Sequence, residues 1–185
     1  MRRHLLGFIV SAVAVVGLLA PGYALAQDGD EKTSVEDMRA RVEKDAETGV
    51  AVHRPDGWVF GDAGRGVVAL LTAAGDSRSQ IEVRASKHVK KGNKKPFFAS
   101  FHANIQKSGF EKVETRTATT YGEKTGEEIE YETGRGDKAF RLVVWQIHRG
   151  ETAYLVVGFF PKEARSIHYK DFQAVCEKLE IPDQK

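Results

Sequence analysis

Cysteine is almost missing: Cys176 is the only one in 185 residues. That excludes an intrachain disulfide framework and any cysteine-rich zinc site. An excess of charge is missing too, with 28 Lys plus Arg against 26 Asp plus Glu. Two of those bases, Arg2 and Arg3, and none of the acids fall in the first 26 positions, so the remainder carries 26 of each. A net charge of zero argues against a generic nucleic-acid binder, which needs clustered positive charge. It also argues against an acidic, solvating disordered chain. Catalytic signatures are absent as well. There is no G-x-S-x-G or S-x-x-K for serine chemistry. There is no H-E-x-x-H zinc motif and no EF-hand loop. Gly61, Gly64 and Gly66 have the wrong spacing for a dinucleotide or P-loop motif, and Gly122-Glu123-Lys124-Thr125 lacks the preceding glycine of one. No repeat or low-complexity segment is present, and no cofactor is implied.

What is there begins with an address. Arg2, Arg3 and His4 form a positive start, and Leu5 to Ala20 is an uncharged apolar run. Pro21-Gly22 breaks it, and Ala24-Leu25-Ala26 offers small residues at the positions a signal peptidase inspects. This pattern predicts a Sec-type secretory signal over 1–26, cut between Ala26 and Gln27. An uncleaved anchor is the rival reading, because Leu5 to Ala26 is long enough to span a bilayer. The break and the Ala-Leu-Ala box favour cleavage. No cysteine lies near the cut, so a bacterial lipoprotein anchor is not expected. The mature protein is expected in the periplasm or outside the cell, without a transmembrane segment.

Residues 27–47 read as a polar linker with a short helix. Thr33 or Ser34 would cap it, and Val35, Met38, Val42 and Ala46 fall at helical spacing. Residues 48–181 read as one domain, followed by a tail over 182–185. Strands are expected at Val50 to Arg54, Trp58 to Phe60, Val67 to Thr72 and Gln80 to Ala85. Lys87 to Lys95 reads as a basic loop. A helix then starts at Pro96 and buries Phe97 or Phe98, Phe101 and Ile105, ending at Ser108-Gly109. Four more strands follow, at Glu111 to Thr120, Glu127 to Thr133, Lys138 to His148 and Thr152 to Phe160. Short turns between them imply antiparallel pairing. Leu142 to Trp145 and Tyr154 to Phe160 are apolar on both faces and read as central strands. Glu128, Glu130 and Glu132 alternate with Ile129 and Tyr131, which reads as an outer strand with one wet face. Pro161 and Glu163 open a last helix with Ile167, Phe172, Val175, Cys176 and Leu179 on its apolar stripe. Strands in runs rather than in alternation with helices give an α+β fold, a central mainly antiparallel sheet with helices packed on it.

This order resembles the PsbP/Mog1-like superfamily, including exported bacterial DcrB-like members. The resemblance is carried by the opening strand and turn Val50-Ala51-Val52-His53-Arg54-Pro55-Asp56-Gly57-Trp58, the Phe-rich middle helix, the meander, and the closing helix ending Glu177-Lys178-Leu179-Glu180-Ile181. It covers roughly residues 48–181 and implies accessory or binding proteins without a shared catalytic motif.

Candidate partner-binding residues are Lys87, Lys90, Lys91, Lys94 and Lys95 of the basic loop, with Arg65 in the turn region 61–66. Such a loop could meet an anionic partner, or it could simply be solvated. Trp58 and Trp145 read as core aromatics. Cys176 reads as a buried, inert thiol. The acidic row at 128–132 reads as a solvated strand face. His53, His88, His102, His148 and His168 have no close zinc spacing. The expected function is therefore an exported, non-enzymatic binding or accessory protein of the cell envelope, meeting another envelope or exported protein. The alternative is a carrier of a small apolar ligand or lipid, with a cavity lined by Phe97, Phe101, Trp145 or Phe159. A cleft holding a histidine and a carboxylate in hydrogen-bond reach would instead favour an enzyme.

Overall fold

A computed structural model describes residues 41–134 and 136–182. Two short strands come first, β1 (Val42–Lys44) and β2 (Ala51–His53). Then come β3 (Trp58–Gly61), β4 (Ala69–Ala73) and β5 (Asp76–Ser86). Helix α1 (Lys94–Lys107) leads to β6 (Glu111–Tyr121), β7 (Lys124–Thr133), β8 (Phe140–Arg149) and β9 (Thr152–Pro161). Helix α2 (Arg165–Lys178) closes the order. β1 and β2 pair with each other, and the other seven strands form one antiparallel sheet in the order β3-β4-β5-β9-β8-β7-β6. The fold is α+β, with a helix on each face of that sheet.

The faces follow from strand alternation. On one face, Ile81, Val83, Val143, Trp145, Tyr154 and Val156 pack with Phe172, Val175, Cys176 and Leu179 of α2. Trp58 closes that core at 1% exposure, its indole Nε1 donating to Asp171 Oδ2 at 3.0 Å. The core's depth depends on Gly158. A β-carbon there would come within 2.9 Å of the Phe172 ring and 2.6 Å of the Phe160 ring. On the other face, Ile129, Tyr131, Leu142, Val144 and Leu155 receive Phe98 and Ile105 of α1. β8 and β9 lie adjacent near the middle, as their two-sided apolar sequence requires. The buried thiol of Cys176 is pushed well up by desolvation.

Several expectations need correction. Val42–Lys44 is a strand paired with β2, not part of a helix, because its backbone finds a ladder partner in Ala51–His53. The rest of that expected helix, and the expected cleavage positions Ala26 and Gln27, lie outside the described residues. The middle helix starts at Lys94, so Lys94 and Lys95 are helical rather than loop, with Pro96 tolerated in the first turn. Pro161 ends β9 instead of opening α2, a strand-end position where a missing N–H is harmless. Ile167 is 67% exposed and does not belong to the apolar stripe.

The largest correction concerns the acidic row. β7 is not an outer strand, since β6 covers its edge. Glu128 and Glu130 are buried, at 2% and 7% exposure. They face α2, and bases from other elements neutralise them. Arg116 meets Glu128 at 2.9 Å, and Arg165 of α2 meets Glu130 at 2.9 Å. Arg141 and Lys162 reach Glu132 at 2.5 and 2.8 Å. Tyr121 and Tyr169 both donate hydroxyl hydrogen bonds to Glu128.

Candidate functional site: a basic groove beside helix α1

Helix α1 covers only part of its face of the sheet. Phe98 and Ile105 anchor it on the apolar stripe, while Lys95, Ala99, His102 and Gln106 form a second stripe turned toward β6 and β7. Between that stripe and β6 lies a cavity of about 630 Å³, floored by β7 and β8. Antiparallel register puts Glu127 opposite Gln146, Ile129 opposite Val144, and Tyr131 between Leu142 and Lys112.

His102 of α1 joins three floor side chains in one hydrogen-bond chain. Tyr131 Oη lies 2.6 Å from His102 Nδ1, and His102 Nε2 lies 2.7 Å from Gln146 Oε1. Gln146 Nε2 donates to Glu127 Oε2 at 2.8 Å. The carboxylate only accepts, so it fixes the chain as far as His102 Nε2. Gln146 gives Glu127 its amide hydrogens and offers His102 its oxygen. His102 must then carry a hydrogen on Nε2. When the imidazole is neutral, its Nδ1 accepts from the Tyr131 hydroxyl. Burial lowers the His102 pKa and so favours that neutral form, aided by Lys112 and opposed by Gln146 and Glu127. Burial also pushes the Tyr131 hydroxyl up to about 12, so it stays protonated as a donor.

The rim is cationic. Lys94, Lys95 and Lys112 line the cavity, and none has an ion-pair partner among the described residues. Two lysines in the first turn of α1, with no acid there, oppose the helix dipole. The β6 wall is a bulge between Arg116 and Thr119, where Ala118 adopts φ 63°, a left-handed conformation that L residues avoid. Across the floor, Gly126 lets two strands approach closely: a β-carbon there would fall 2.4 Å from the Gln146 carbonyl oxygen.

The six expected partner-binding residues are not brought together. Lys94 and Lys95 reach the groove. Lys90 and Lys91 are exposed just before it. Lys87 donates to the Glu47 carbonyl, with the Glu47 carboxylate 3.9 Å away. Arg65 lies in the β3–β4 connection, at the other edge of the sheet from β6. Sequence reasoning missed Lys112, His102, Tyr131, Gln146 and Glu127. The one available signal was polar His102 and Gln106, four residues apart beside an apolar stripe. None of Phe97, Phe101, Trp145 and Phe159 lines this cavity. His102 and Glu127 are linked through Gln146 rather than directly. Among the described residues no cluster of His, Cys, Asp and Glu is placed to hold a metal ion, and no helix is long and apolar enough to cross a membrane.

No family model matches the chain, and no curated protein sequence matches it. Solved structures do. The solution structure of cyanobacterial PsbP (CyanoP) from Synechocystis is 13% identical over 88% of this chain and 100% of its own, with a TM-score of 0.55. The Ran-binding protein Mog1p of Saccharomyces cerevisiae is 9% identical over 76% of this chain and 94% of its own, with a TM-score of 0.50. A protein from Bacteroides thetaiotaomicron is 15% identical over 73% of this chain, with a TM-score of 0.51, and this chain spans only 46% of it. The fold is therefore PsbP/Mog1-like.

Proposed function

We propose that this chain is an exported, non-enzymatic accessory protein of the cell envelope that holds an acidic segment of a partner protein in the groove beside α1. The observation that carries this reading is the groove itself: three lysines with no ion-pair partner among the described residues, around a floor whose polar groups are already satisfied by one another. Such a floor is suited to positioning rather than to attack, because its carboxylate and imidazole are both engaged. Complementary charge would steer and orient the partner. Export is supported by the pattern Arg2-Arg3, Leu5 to Ala20 and Ala24-Leu25-Ala26. One structure with this fold is a Ran-binding protein, so the fold is compatible with a protein partner.

Cross-linking in the native cells, followed by mapping of the linked lysines, tests it. A single recurrent partner joined through Lys94, Lys95 or Lys112 is expected. Replacing these three with Ser should weaken that partner's binding about tenfold or more and change folding stability by less than about 0.5 kcal/mol. Cross-links confined to other surfaces, unchanged by the substitutions, would overturn the groove as the contact.

A further inference from the structure

The chain Tyr131–His102–Gln146–Glu127 has a direction, and a proton reverses part of it. In the neutral state the Tyr131 hydroxyl hydrogen points to His102 Nδ1. A second proton on the imidazole occupies Nδ1, the one ring nitrogen still free to take it. Tyr131 Oη must then accept, and its own hydrogen must find another acceptor. Tyr131 is only 1% exposed, so bulk water is a poor one. An unpaired buried donor is costly, which holds the empty groove's imidazole neutral.

We propose that the groove binds a carboxylate and a proton together, with His102 as the group that takes the proton. This rests on the groove reading above and specifies its regulation. The groups facing His102 are known from every element around it. Lys95 lies on its own helix and Lys94 at that helix's start. Lys112 comes from β6, Tyr131 and Glu127 from β7, and Gln146 and His148 from β8. His148 is occupied by the Val89 carbonyl at 2.5 Å. Three lysines and one carboxylate leave the empty groove positive, so a cationic His102 is unwelcome there. A ligand carboxylate lying against those lysines cancels that field. Anion and proton then favour each other, and by linkage the coupling is reciprocal.

The probe is a hexaglutamate peptide, whose carboxylates remain mostly ionised at pH 5.5. His102 is followed by its imidazole NMR signals with and without peptide, and affinity is measured at pH 5.5 and 7.5. The His102 pKa should rise by about one unit on binding, with affinity about threefold to sixfold tighter at pH 5.5, below the tenfold ceiling that a one-unit shift sets. In His102→Gln the ratio between the two affinities should fall to about one, with His148 still present as an internal control. A peptide that binds equally at both pH values, with the His102 titration unmoved, overturns the proton coupling and leaves the groove reading standing. Tighter binding at pH 7.5 overturns it as well. Absence of binding at both pH values overturns the groove reading itself.

Discussion

The two faces of strand β7 are built on opposite terms. The face toward α2 carries Glu128, Glu130 and Glu132, and there every acid has found a base. The face toward α1 carries Glu127, Ile129 and Tyr131, and there the three nearby lysines make no ion pair among the described residues. One side is closed by a helix seated over Gly158. The other has a helix placed off-centre, leaving a gap over β6 and β7. Charge on the closed side serves assembly, while charge on the open side is left for something else.

This contrast can be broken most forcefully at its apolar anchors. Phe172 is fully buried on the closed side, and Phe101 of α1 is only partly buried. Phe172→Ala should cost about 3–5 kcal/mol in chemical denaturation, and Phe101→Ala about half as much, in proportion to the smaller area it removes from water. Equal losses would mean that α1 is as firmly docked as α2. Next in size is Glu128→Gln, which keeps the shape but removes the charge that Arg116 and two tyrosines address. A loss of about 1–3 kcal/mol is expected, whereas unchanged stability would show that the acidic row is dispensable.

A smaller effect concerns acid. His102 has a lowered pKa in the folded protein, so the unfolded chain takes up a proton first. Its contribution is full above the unfolded value near 6.5 and is lost as pH falls below it. His102→Gln should flatten stability over that window relative to the parent, measured by denaturation at pH 7.5, 6.5 and 5.5. The smallest change sharpens the picture of the groove wall. Ala118→Gly should stabilise the protein by about 0.5–1 kcal/mol, since glycine carries no penalty at φ 63°. A loss there would mean that the Ala118 methyl group packs usefully.

Much of the architecture could be read from local periodicity. The Phe98, Phe101 and Ile105 stripe, the Phe172, Val175 and Cys176 stripe, and the two-sided apolar runs of β8 and β9 each declare themselves within a few residues. What could not be read was who stands opposite whom. Glu128 looks like a wet residue until Arg116 and Tyr169, one on the edge strand and one on α2, are brought to it. The groove has the same character. His102, Lys112, Glu127, Tyr131 and Gln146 lie up to 44 positions apart, and only strand register makes them neighbours. Lys94 and Lys95 stood out by charge alone, and that same signal drew in Lys87 and Arg65, which lie elsewhere.

Strand β9 occupies the centre of the sheet and is also its last strand in the chain. In the finished sheet β9 is the only link between β3–β5 and β6–β8, so without it β5 and β8 would each lack a neighbour. Neither half could complete its core, because Tyr154, Leu155, Val156 and Phe160 all arrive with β9. Closing over such long sequence separations makes folding slow relative to a helical chain of this size.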